Sequence, residues 1–211
     1  MNLFKTTKEH KKYWQTRCID WQKHYGDTWN HPHRYYITAV LKTFSWYSLM
    51  EIGCGAGANL INIIRAMPGR QLGGIDINKE AIDLVNKTFK GGVFKVNSAD
   101  DIMMSDNSAD IILSDMTLIY VGPFKIKKYL KEIIRVGRNK LVLCEFYSEK
   151  WWRRLVLRLY SGYNSYNYPR LLIKLGCYDT VVYSFPESAW PNIDWKQKEF
   201  THLIVTKLPK I

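Results

Sequence analysis

The chain has 211 residues, 46% hydrophobic and 14% aromatic, and a formal net charge of +12. That length fits one domain able to bury a real core, and the composition excludes a disordered chain. No apolar run approaches ~18 residues, so no membrane-spanning helix is expected, and the basic start (Lys5, Lys8, Lys11, Lys12) lacks the apolar stretch of a signal peptide.

Cys18, Cys54, Cys144 and Cys177 lie far apart, without the close pairs that zinc sites use. Small buried thiols in a reducing compartment, the cytoplasm, are the expectation, and no metal. Charge is uneven: +5 over residues 1–48, −3 over 49–120 and +10 over 121–211. Basic flanks of this size fit either an anionic partner such as nucleic acid or a solvated surface.

In chain order, residues 1–48 read as a helical cap. Trp14, Ile19, Trp21 and Tyr25 predict an aromatic-rich helix or two. Residues 26–32 predict a turn, and Arg34 to Phe44 a helix. His31 and His33 flank Pro32 and are expected to point in different directions, too few in any case for a metal. Residues 49–146 then alternate. Strands are predicted at 47–52, 72–77, 93–96, 110–114 and 140–146, with helices at 58–67, 79–89 and after Pro123. Such alternation means a parallel sheet covered on both faces, with ligands beyond the carboxyl ends of its strands. Residues 147–169 form an insertion, a helix bearing Trp151 followed by a tyrosine-rich loop that suits either a substrate-binding rim or packing on the sheet edge. Residues 170–211 predict a helix and two strands, the last closing the sheet antiparallel.

The stretch from Leu49 to Leu60 is a buried strand, a glycine turn and a helix start. Glycines there reach backbone angles that side chains forbid and let a ligand approach the main chain, and the helix start favours an anionic group. Gly53, Gly55 and Ala58 satisfy the dinucleotide fingerprint G-x-G-x-x-[G/A]. Read as E-x-G-x-G-x-G, Glu51 to Gly57 resembles motif I of the class I S-adenosylmethionine methyltransferases. Asp76, ending a second strand 19 residues past Gly57, suits the ribose of either cofactor. Glu51 within the motif, the roughly fifty residues before it and the lack of any Tyr-x-x-x-Lys pair favour S-adenosylmethionine over NAD.

The resemblance extends over about residues 13–146 and implies a Rossmann-like α/β fold. Its seven-stranded sheet is mostly parallel, with the last strand antiparallel. Phe94 to Asp110 resembles the family's adenine-binding stretch. There Ala99 falls where a backbone N–H meets the base, and Ser98 replaces the usual Asp, a role open to Asp100 or Asp101. Arg135 to Lys140 takes the place of a proline-containing turn. The cofactor residues so implied are Glu51, Gly53, Cys54, Gly55, Gly57, Asp76, Ile77, Ser98, Ala99, Asp100 and Asp115. Arg17 is a candidate for the cofactor carboxylate if the leading segment folds over it; a surface charge is the alternative.

The activity implied is methyl transfer from S-adenosyl-L-methionine, with S-adenosyl-L-homocysteine as product. Motifs of amino-methylating and cytosine-methylating nucleic-acid enzymes are missing, so a small-molecule acceptor is expected. A nucleic-acid or protein substrate using the basic flanks and a non-catalytic binding module are the alternatives. Glu145, Asp115 and Tyr120 are the candidates for substrate contact or proton transfer. Tyr163, Tyr166 and Trp151 are those for substrate binding.

Overall fold

The computed structural model describes residues 6–191 and 195–209, which leaves Lys5 outside the described residues. Seven strands form one sheet in the order β3-β2-β1-β4-β5-β7-β6. They are β1 Ser48–Ile52, β2 Gln71–Asp76, β3 Val93–Val96, β4 Ala109–Asp115, β5 Gly137–Phe146, β6 Tyr178–Ser184 and β7 Thr201–Lys207. β7 alone runs antiparallel to its neighbours β5 and β6, and the pairs from β3 through β5 are parallel. This is the Rossmann-like methyltransferase architecture expected from the sequence.

Side chains along a strand point alternately to the two faces, and here both faces are buried. Met50, Ile112 and Leu143 belong to one core with Leu130 and Ile133. Leu49, Leu113 and Val142 belong to the other with Ile37, Leu60 and Ile63. The helices supplying those partners are α2 Pro32–Leu41, α3 Ala58–Ala66 and α5 Ile126–Val136; α1 Thr7–Thr16 and α4 Lys79–Thr88 complete the first half. Thr6 caps α1 through a capping box with Glu9. Asn78 caps α4 by accepting from the Ala81 N–H.

The second half departs from the expected boundaries. β5 begins at Gly137, directly after α5, instead of near residue 140. Gly137 sits against Leu208 and Ile112, where a Cβ would lie 2.4 Å from Leu208 Cδ1, so the position has no room for a side chain. α6 Trp151–Ser161 fills the insertion, and α7 Tyr168–Ile173 starts before the expected Arg170. Asn167 caps α7 by accepting from the Arg170 N–H, and Pro169 fits its first turn. A short α8 Trp195–Phe200, not expected from the sequence, leads into β7.

Candidate functional site

The carboxyl ends of β1, β2 and β4 surround a cavity of about 320 Å³. Its floor is the glycine turn after β1, where Gly53, Gly55 and Gly57 all have left-handed φ values of 70°, 50° and 84°. The three glycines have different causes. A Cβ on Gly53 would lie 2.1 Å from Thr117 Oγ1, and one on Gly57 2.8 Å from Val85 Cγ2. Packing forces both to be glycine. A Cβ on Gly55 would meet only Trp21, at 3.9 Å, so this residue leaves its space to the cavity. Asp76 fixes the turn by accepting from the Gly55 N–H at 2.9 Å and from the Asn78 N–H at 2.8 Å.

Two buried carboxylates share Asn59. Its amide donates to Glu51 Oε1 at 2.6 Å and to Asp115 Oδ2 at 2.9 Å. His33 Nε2 and Arg34 Nη1 reach the same Asp115 oxygen at 3.0 and 3.1 Å. Burial alone would push both carboxyls up. At Asp115 His33, Arg34 and Asn59 win and hold it well below the ordinary carboxylate range. Glu51 has the Asn59 hydrogen bond but no adjoining cation, so burial wins and pushes it up to about 8. Glu51 Oε2 and Asp115 Oδ1 are buried without a hydrogen-bond partner, and both residues line the cavity.

The roof comes from the N-terminal segment. Trp14, Trp21, Tyr25 and Tyr120 line the cavity, with Trp21 stacked on Tyr25 at 5.2 Å and Trp14 edge-on to Tyr120 at 5.4 Å. Asn78 Nδ2 donates to the carbonyls of Trp14 and Arg17, fastening the roof to the end of β2. Lys11 ties the roof to the loop after β3 through Asp100 at 2.7 Å. The indole N–H groups of Trp14, Trp21 and Trp190 are buried without partners. Met116, just past β4, holds a left-handed φ of 52° and also lines the cavity, a strained position of the kind that gathers at functional sites.

Of the residues singled out from sequence, Glu51, Gly53, Cys54, Gly55, Asp76, Ile77, Ser98, Ala99, Asp115 and Tyr120 line this cavity. Gly57 supports the turn from behind. Asp100 is not on the lining; it accepts from Lys11 and from Ser98 Oγ. Arg17 stays off the lining, half-buried, its guanidinium over the rings of Tyr13 and Trp14. Glu145 is fully buried off the lining, where Oε1 accepts from Ser114 Oγ and the N–H groups of Thr117 and Leu118; burial pushes it up to about 7 despite those bonds. It is a buttress for the loop after β4. Tyr163 packs on Tyr120 and Phe146. Tyr166 is buried and donates to the Val121 carbonyl. Trp151 faces solvent. None of these three lines the cavity.

His33, Arg34, Asn59 and Trp190 were not among the expected site residues. His31 and His33 do not diverge: their rings lie 4.6 Å apart, with Nδ1 facing Nδ1 at 2.5 Å. Pro32 opens a helix here, and its first turn brings the two rings together under Trp190, which stacks on His33 at 4.5 Å. The available signals were slight: two Asn, Asn59 and Asn62, in an otherwise apolar helix start, and an Arg with no acid nearby in sequence.

A glycine turn, an acid ending β2 and a roofed cleft at the carboxyl ends define a nucleoside-cofactor site in a doubly wound α/β domain. Residues 49–140 match the model of the methyltransferase domain, and the chain has the fold of class I S-adenosylmethionine-dependent methyltransferases. That domain uses S-adenosylmethionine as methyl donor. Solved structures with the same fold include the PH0226 protein of Pyrococcus horikoshii OT3. It is 15% identical, with 92% of this chain and 100% of that chain covered and a TM-score of 0.66. Magnesium protoporphyrin IX methyltransferase of Synechocystis PCC 6803, with bound S-adenosylhomocysteine, is 13% identical over 96% of this chain and 99% of its own, at TM-score 0.64. A SAM-dependent methyltransferase of Methanosarcina mazei is 18% identical over 82% and 98%, at TM-score 0.61. No curated protein sequence gives a significant match.

Proposed function

We propose that the chain moves the methyl group of S-adenosylmethionine to an oxygen, nitrogen or carbon of a small-molecule acceptor, releasing S-adenosylhomocysteine. The observation that carries this reading is the set of unpartnered polar atoms around one cavity. Two acceptors, Glu51 Oε2 and Asp115 Oδ1, and the indole donors of Trp14, Trp21 and Trp190 lie buried without partners in residues that line it. Buried polar groups are normally paired, and a zwitterionic amino-acid end would satisfy both kinds. Asp76 is placed to accept from ribose hydroxyls, Gly55 leaves room for the chain of the ligand, and Ser98 and Ala99 suit its base.

Bound S-adenosylmethionine supplies a methyl group activated on a sulfonium. The protein contributes placement, and orientation can supply ~7–11 kcal/mol of such a barrier. The Trp14, Trp21 and Tyr120 side chains give that placement an apolar, aromatic wall. Tyr120 is held protonated by burial, its hydroxyl pushed far above the ordinary phenol range, so it can donate to an acceptor molecule but not take its proton. Asp115 is too weakly basic for that task. Both ring nitrogens of His33 are taken, Nε2 by Asp115 and Nδ1 by His31, so this imidazole holds the acid end of the site in place.

A small acceptor is favoured over a nucleic acid by the charges of the lining. Its lysine and arginine, Lys11 and Arg34, are paired with Asp100 and Asp115, whereas a groove that tracks phosphates needs free cations. The test is calorimetric titration with S-adenosylmethionine, S-adenosylhomocysteine and NADH. Release of S-adenosylhomocysteine is then followed from a metabolite panel, RNA, DNA and protein. NADH binding without S-adenosylmethionine binding would overturn the cofactor assignment. Turnover confined to nucleic acid, with affinity falling steeply in salt, would overturn the acceptor class.

A further inference from the structure

Helix α6 is turned inside out relative to an ordinary surface helix. Its single buried residue is Leu157, at 0% exposure, while Trp151 is 68%, Trp152 50%, Leu155 47% and Tyr160 73% exposed. At ~100° per residue, Trp151, Trp152, Leu155, Val156, Leu159 and Tyr160 form one apolar half-cylinder facing solvent. Arg154 and Arg158 flank it on one side, Arg154 donating to the Ser148 and Glu149 carbonyls, and Arg153 on the other, paired with Glu199; Arg158 and the lysines of α5 carry the charge offered to a partner. Beside it, at the start of α5, Phe124 is fully exposed, at 101%, among the exposed Lys125, Lys127 and Lys128. A groove lies between the two helices, lined in part by Lys127, Arg154, Leu155 and Arg158. The Ser165 hydroxyl on the same lining is buried without a partner, in a residue only 4% exposed.

We propose that this face docks the protein on an anionic membrane surface, with α6 lying in the headgroup layer and the groove taking a lipid phosphate. Large exposed apolar patches mark interaction surfaces. A helix combining tryptophans on one face with arginines along its flanks has the composition of interfacial helices, in which aromatic rings sit at headgroup level. Charge selects the partner. No acidic residue occurs from Lys150 through Tyr178, and residues 121–211 carry +10 overall. A second copy of the chain would set one row of arginines and lysines against another. An anionic lipid surface complements them and adds attraction for each cation that reaches it. Groove and cavity are separate, but the loop after β4 and the start of α5 serve both. Tyr120 and Val121 line the cavity, and Pro123 and Ile126 line the groove. The proposal stands independently of the methyl-transfer reading.

The experiment is flotation of the purified full chain with vesicles of phosphatidylcholine alone or mixed with phosphatidylserine, at low and high salt. Wild type should float with the mixed vesicles, not with the neutral ones, and less at high salt. Trp151→Ala with Trp152→Ala should lose at least ~10-fold in partitioning. Lys127→Gln with Arg158→Gln should lose on the order of 30-fold. Tyr160→Ala provides a single, strongly exposed control that should also weaken flotation, and all variants should keep wild-type melting temperatures. Absence of flotation at low salt would overturn the proposal, as would equal flotation by wild type and variants. A concentration-dependent dimer in sedimentation velocity, dissolved by the tryptophan substitutions and unaffected by vesicles, would also overturn it and assign the face to a second copy.

Discussion

Glu51→Gln separates a carboxylate that waits for a cation from one that merely packs. Glu51 is 2% exposed and pushed up to about 8 by burial, which outweighs the Asn59 hydrogen bond and the charge of Arg34. At pH 7 it is therefore roughly nine-tenths protonated in the unliganded protein. Meeting the ammonium of the cofactor requires the carboxylate, so binding at pH 7 should release close to one proton from this residue. Affinity should rise up to ~10-fold per pH unit towards 8. It should then stop rising, because Glu51 is ionised and the ligand's own amino group, at ~7.7–8.0, loses its charge. Glu51→Gln removes this titration. At pH 8 it should weaken binding by ~1.5–3 kcal/mol, the size of a charge-assisted hydrogen bond. Near pH 6 the wild type must give up ~2.7 kcal/mol to ionise the residue, so there the variant should bind about as well. In the unliganded protein the folded pKa lies above the ordinary 4.5. Its contribution to stability is thus full below 4.5 and lost as pH rises towards 8, at ~1.4 kcal/mol per unit; the variant should not show that decline. Calorimetry at pH 6, 7 and 8 in buffers of different ionisation enthalpy, with thermal melts alongside, measures all of this. Binding enthalpies independent of buffer, with the same pH slope in Glu51→Gln, would refute the reasoning.

Gly53→Ala should lower the melting temperature, since its Cβ would collide with Thr117 Oγ1. Gly55→Val should fold at a cost of ~1–2 kcal/mol for the left-handed backbone yet lose cofactor binding in calorimetry. Asp76→Ala should weaken cofactor affinity by ~1.5–3 kcal/mol through the lost ribose acceptor, read by the same titration. Tyr163→Ala with Tyr166→Ala should reduce melting temperature, cofactor affinity and turnover together, because these rings support Tyr120 and Val121. Intact stability with turnover alone lost would instead make them substrate contacts.

The glycine turn and the strand-end acids that line the cavity were legible because backbone chemistry writes them locally. Left-handed glycines, an apolar strand before them and an acid ending the next strand all recur at fixed spacing. The alternation of strands and helices placed Glu51, Asp76, Ser98, Ala99 and Asp115 at one sheet edge for the same reason. The remainder depends on contacts between distant segments. Arg34 and His33 reach Asp115 from about eighty residues away, and Trp190 reaches His33 from a short 3₁₀ turn at Glu187–Ala189. Arg17 and Arg34 look alike in sequence, both following aromatic or histidine-rich runs. Helix phase sends Arg34 inward, while Arg17 sits at the end of α1, free to stack on its own helix. The tyrosine loop misled because tyrosine serves rims and cores alike; the hydroxyl of Tyr166, taken by a backbone carbonyl, shows which applies.

The unliganded site carries an internal tension. Glu51 Oε2, Asp115 Oδ1 and three indole N–H groups are withdrawn from water without partners, and each such group costs ~1–3 kcal/mol in a folded protein. Most of the surrounding structure is over-determined: Asn59 bridges both carboxylates, Arg34 also donates to the Thr28 carbonyl and Asn59 Oδ1, and Asn78 ties the roof to β2. Those hydrogen bonds hold the groups apart from one another, and a ligand of matching charge would pair them. A ligand that binds the folded state alone stabilises it by RT ln(1 + [L]/Kd). Its affinity here would draw on the deficit that the cavity keeps open. The same contacts explain why Glu51 is kept neutral and Asp115 anionic. Two buried carboxylates joined through one amide cannot both ionise cheaply, and Asp115 alone has cations in hydrogen-bond contact. The second negative charge forms when the ligand brings a positive one.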